Sequence, residues 1–176
     1  MAEVEGRSDI RLRPAAPKDR FVVRRWLSDP QVQSWWGTAA SAEAKITLAL
    51  ASTAALPRII ERDGIAIGYA HAVETGSWAA APPEAVPAGG WDVDYFVAPA
   101  AGDSAEVGSA VLALLTEEVF ATTLAVACSA LVSITNEAGA RAYERAGFRW
   151  LRVLQDPLLG PSWLMLKERP GLQQAR

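Results

Sequence analysis

The chain has 176 residues, 51% of them hydrophobic and 21% charged, which is enough for one domain with a sizeable core and too apolar for a disordered segment. Its net charge of -3 hides an asymmetry: no Lys or Arg lies between Arg62 and Arg141, where Asp and Glu are frequent, so the middle of the chain attracts cations and argues against nucleic acid. The single cysteine, Cys128, excludes an internal disulfide and a thiolate metal cluster, and no metal is expected; the polar Met1 to Asp9 and the lack of a long apolar run argue against a leader or membrane partner and for the cytoplasm.

Alternation at Ile10, Leu12 and Pro14 predicts a short first strand, and Pro17-Lys18-Asp19 opens a helix through Trp26 and Leu27. Ser28-Asp29-Pro30 starts a second helix that carries Val32, Trp35 and Trp36 and stops at Gly37; Ser41 is expected to cap a third, from Ala42 to about Ser52. Leu56 to Glu61 and Ile65 to Val73 flank Arg62-Asp63-Gly64, the signature of a hairpin. A long loop from Gly76 to Gly90, with Trp78 and Glu84, precedes a fourth strand, Trp91 to Val97, which Pro99 ends. Val107, Val111, Leu115 and Val119 recur at helical spacing, and Trp150 to Leu154 and Ser162 to Leu166 read as the last two strands. One domain, 10–168, is expected between a flexible 1–9 and a tail, 169–176.

Between these elements lies the stretch that organises the chain. An apolar run, Val126 to Ile134, halts at Asn136, whose amide can cap the helix that follows; that helix carries Asn136, Ala140 and Tyr143 on one face and ends at Gly147-Phe148. Asp92 and Asp94 share one face of the fourth strand at period 2 and form a paired acidic site in which one carboxyl can be raised toward the range of a base. Trp35, Trp36 and Trp78 offer aromatic walls on which a sugar or alkylamine could pack.

The pattern Asn136-x3-Ala140-x2-Tyr143-x3-Gly147-Phe148 resembles the late core motif of the GNAT acyl-coenzyme A-dependent N-acyltransferases. Element order agrees with that family over Ile10 to Lys167, implying an α/β (α+β) GNAT fold with a mixed central sheet of about seven strands flanked by helices. Within the family the likeness is greatest to aminoglycoside 6′-N-acetyltransferases, through Leu12 to Ala15, Trp35-Trp36-Gly37, Ile67 to Ala70, a Trp-bearing loop and the Asp on the fourth strand. The resemblance implies acetyl-CoA as co-substrate and a small-molecule cationic amine as acceptor. By the same resemblance, Asp94 holds and deprotonates the amine and Tyr143 assists thiolate departure. Asn136 contacts pantetheine, main-chain amides near Phe96 and Val97 polarise the thioester, and the amides of Gly108 and Ser109 hold the diphosphate. The family leaves a homodimer open.

Two features depart from the family pattern. The diphosphate loop, read in either frame across Asp103 to Ala110, lacks its basic residue and carries Asp103 and Glu106, which repel a pyrophosphate. The loop at Ser77 to Gly90 holds only Glu84 where resembling enzymes crowd acids. Siderophore or polyamine N-acylation, and a GNAT-fold protein that binds a cation without catalysis, are the alternatives. Against the siderophore group, this chain has Asp94 where those proteins tend to show His, and the lone His71 reads as structural.

Overall fold

The computed structural model describes residues 9–77, 84–102 and 105–172. Seven strands, β1 (Ile10–Pro14), β2 (Ala55–Arg62), β3 (Ile65–Glu74), β4 (Gly90–Val97), β5 (Ala127–Ser133), β6 (Arg149–Asp156) and β7 (Gly160–Glu168), form one mixed sheet in the order β1-β2-β3-β4-β5-β7-β6. The helices are α1 (Arg20–Leu27), α2 (Pro30–Trp36), α3 (Ala39–Ala51), α4 (Ala105–Thr122) and α5 (Glu137–Arg145). The expected order of elements is found. The β2–β3 hairpin turns through Asp63 and Gly64, both at positive φ, as a two-residue turn requires.

Strand alternation divides the core in two. Ile59, Tyr69 and Phe96 pack with Val23, Leu27 and Trp36 under α1–α3, whereas their neighbours Ile60, Ala70 and Val97 pack with Leu112, Leu115 and Tyr143 under α4 and α5. Gly68 is required where β3 meets β4, since a Cβ there would lie 2.2 Å from the carbonyl oxygen of Phe96. Thr38 rather than Ser41 caps α3, accepting from the Ser41 amide at 3.3 Å, so the helix begins three residues earlier than expected. At the end of the sheet, Arg169 donates to the carbonyls of Ala125, Phe120 and Thr123 and fastens the chain leaving β7 to the end of α4. No described helix is long and apolar enough to cross a membrane.

Candidate active site

The site begins where the sheet fails to close. β4 and β5 run parallel and pair only over Gly90 to Asp92 against Ala127 to Ser129; beyond that they diverge, and a cleft of about 540 Å³ opens between them. Ala98 donates its amide to Ile67 at 2.7 Å, so in the antiparallel ladder with β3 the main-chain groups of Asp94, Phe96 and Ala98 turn toward β3 and those of Val93, Tyr95 and Val97 turn toward the gap. Of the two amides expected to meet a thioester, Val97 faces the gap and Phe96 does not. Both residues line the cleft; strand alternation makes Phe96 a ladder partner of Tyr69, and its ring packs edge-on to Trp36 at 5.1 Å.

Asp92 and Asp94 do lie on one face, the side covered by α2 and α3. Asp94 accepts from the Tyr95 amide at 2.9 Å through Oδ1 and from Lys45 Nζ at 3.3 Å through Oδ2. That ammonium also lies 4.9 Å from the centre of the Trp36 ring. Lys45, Asp92, Asp94 and Asp156 share a recess of about 120 Å³ that adjoins the main cleft through Trp35, Trp36 and Leu159. Burial, with Asp94 and Asp156 adding to it and Lys45 opposing it, raises the Asp92 carboxyl to about 7. Asp94 is raised as well, by burial against the opposing pull of Lys45. For Lys45 burial works downward, but the facing carboxylates prevail and lift it above the ordinary lysine value.

Sequence reasoning missed Lys45 and Asp156, which come from α3 and the end of β6. Only the fold brings them to Asp94. The Trp pair was anticipated: Trp35 is half exposed, and Trp36 is buried with Nε1 donating to the Tyr95 carbonyl at 3.0 Å. Trp78 lies outside the described residues. His71 is fully buried, 3.2 Å by Nδ1 from the Tyr69 hydroxyl, and burial followed by Lys45 holds it neutral.

On the opposite face of β4, α5 delivers the rest. Asn136 caps α5 as expected, its Oδ1 accepting from the Gly139 amide at 3.0 Å, and it lines the cleft together with Thr135, Glu137 and Ala138. Tyr143 also reaches the cleft; its buried hydroxyl donates to the Val93 carbonyl at 3.1 Å, and burial, then the charge of Asp94, keeps it well above the usual phenol value.

Gly108 and Ser109 do not line the cleft; Ala105 does. They occupy the fourth and fifth positions of α4, whereas the amides that an α-helix leaves without partners of its own lie at its mouth, in the first turn. Gly108 serves packing instead: a Cβ there would lie 2.1 Å from the Tyr95 hydroxyl and 3.0 Å from Ala142 Cβ. The described lining of the cleft contains no Lys or Arg.

A family model for the acetyltransferase (GNAT) domain matches residues 16–155. The chain belongs to the GNAT acetyltransferase family. It is an N-acetyltransferase. Among solved structures, this GNAT chain superposes on aminoglycoside acetyltransferase AAC(6′)-Ib in complex with coenzyme A and kanamycin, with TM-score 0.80 and 25% identity over 96% of this chain and 99% of that one. AAC(6′)-Ib in complex with paromomycin and acetyl-CoA gives the same score and identity over 96% and 98%. Spermidine N-acetyltransferase from Vibrio cholerae, in complex with CoA and spermine, shares the fold at TM-score 0.71 and 13% identity, over 90% of this chain and 95% of that one. No curated protein sequence matches the chain.

Proposed function

We propose that this GNAT enzyme transfers an acetyl group to a primary amine of a small cationic acceptor bound against Asp94, Asp92 and Trp36. One observation carries the reading: the Asp94 carboxylate and the Trp36 ring already hold an alkylammonium, that of Lys45. A carboxylate beside an aromatic face attracts such a cation and can then accept its proton, directly or through water. The freed amine nitrogen attacks the thioester carbonyl carbon from the α2–α3 face of β4. The C–N bond forms, the nitrogen's second proton passes through water to the departing sulfur, the C–S bond breaks, and the thiol leaves on the α5 side.

Main-chain N–H groups aimed at a developing oxyanion stabilise it, and Val97 supplies one at the gap. Tyr143 donates to the departing sulfur in exchange for its bond with the Val93 carbonyl. The opening between β4 and β5 suits a thin pantetheine arm, with Asn136 beside it. At the diphosphate end, the first turn of α4 supplies helix-terminal amides, but Glu106 stands in that turn and weakens the hold on the donor.

Aminoglycosides are the acceptor class that the structures at 25% identity suggest, and polyamines are the alternative to be tested beside them. A panel of both, together with simple monoamines, tests the reading by release of coenzyme A thiol and by the mass of the acetylated product. Amine-dependent thiol release that Asp94→Asn abolishes is expected; release that no amine accelerates would overturn it.

A further inference from the structure

The acceptor recess holds its own cation. Lys45 projects from the middle of α3, and its ammonium stands 3.3 Å from Asp94 Oδ2 and 4.9 Å from the Trp36 ring centre. These are the two groups that an incoming ammonium would use. Asp92 and Asp156 complete the charged lining of the recess. Asp156 is committed in part to its own turn, with Oδ1 accepting from the amides of Leu158 and Leu159 at 2.8 and 2.7 Å. Three carboxylates therefore face one built-in ammonium.

Counting these charges limits what can enter. With all three carboxylates ionised the recess carries two negative charges beyond the one that Lys45 neutralises, and Asp92, raised to about 7, carries only part of its charge near neutrality. One arriving ammonium nearly balances the remainder. A second, held in the same recess of about 120 Å³, would be surplus and would stand close to Lys45 in a half-buried site, where like charges repel more strongly than in water. Without Lys45 the same three carboxylates could balance a second ammonium; the resident cation is what takes that place.

We propose that Lys45 is a specificity-determining residue that makes the Asp94 recess an acceptor site for amines with a single positive charge near the reacting nitrogen, and against diamines and polyamines. The inference rests on the reading of Asp94 as the acceptor's carboxylate. Lys45 itself takes no part in the bond changes. Its side chain sets the charge that the recess tolerates, and its partial exposure, 34%, leaves room for a neutral substitute without opening the core.

The test uses a matched pair, n-butylamine and 1,4-diaminobutane, which have the same carbon chain and differ by one ammonium. Values of kcat/KM for both, with acetyl-CoA, are compared in the full chain, in Lys45→Gln and in Lys45→Arg. Thermal shifts with each amine alone read the same preference in binding. The wild-type chain is expected to prefer butylamine at least tenfold. Lys45→Gln should shift that ratio at least tenfold toward the diamine, and Lys45→Arg should keep it, an outcome that loss of packing would not produce.

A wild-type preference for the diamine, or a ratio unchanged in Lys45→Gln, overturns the inference. Amine binding that follows the expected ratio with no turnover would sink the catalytic reading of Asp94 and leave the selectivity standing. Failure of both amines to bind would sink both.

Discussion

Asp92 offers a prediction whose size follows from its surroundings. Burial lifts its carboxyl from 3.8 to about 7, so between those values the folded chain holds a proton that the unfolded chain has released. The sign is fixed by linkage: where the native state binds more protons, stability falls as pH rises, and here the loss runs from about pH 4 to 7. At 1.36 kcal/mol per pH unit the full difference is about 4 kcal/mol. Residual solvent contact screens part of it, leaving roughly 2 kcal/mol. Asp92→Asn removes the ionisation and keeps the shape. At about pH 3.5, where Asp92 is protonated in the folded and the unfolded chain alike, variant and wild type should melt together. At pH 8 the variant should melt about 4–8 °C higher, at about 2–4 °C per kcal/mol for a chain of this length. Thermal denaturation of both proteins from about pH 3.5 to 8 reads this difference. A gap between the two that stays constant with pH would refute the placement of Asp92 in a desolvated recess shared with Asp94 and Asp156.

Three further outcomes are expected. Asp94→Asn should lower kcat/KM for the amine by about 100-fold or more, the usual contribution of a positioned base, and should flatten the acid limb of the pH–rate profile; an unaltered profile would assign the base elsewhere. Tyr143→Phe should lower kcat by at least tenfold with little change in KM for the amine and, by leaving the Val93 carbonyl unpaired, should cost about 1–3 kcal/mol in denaturant unfolding. A loss of turnover below about threefold would limit Tyr143 to a structural part. Gly108→Ala places a methyl 2.1 Å from the Tyr95 hydroxyl and should destabilise the fold by about 1–3 kcal/mol as overpacking does; an equally stable variant would show that α4 can draw back from β4.

Much of this arrangement could be read along the chain because local chemistry decides it. The Asn136 cap, the inward Tyr143 and the turn at Gly147 are written in consecutive residues, and the shared face of Asp92 and Asp94 follows from strand period alone. What sequence could not supply were partners distant along the chain. Lys45 looks like any exposed lysine on an alanine-rich helix until α3 is laid over β4, and Asp156 looks like a turn residue. The direction of the Phe96 amide depended on the register with β3, which only the paired strands define. Gly108 has a packing role that sequence could not reveal: its missing side chain makes room for Tyr95.

The central claim is that an amine bound at Asp94 is acetylated in the cleft between β4 and β5. Its most direct test is single-turnover mass spectrometry of acetyl-CoA with the amine panel, run on wild type and Asp94→Asn, with donor binding followed in parallel by thermal shift. The account predicts an amine that gains one acetyl group in the wild type and not in the variant, while acetyl-CoA stabilises both proteins. Acetyl-CoA binding with no amine acetylated, or acetylation that persists undiminished in Asp94→Asn, would contradict it.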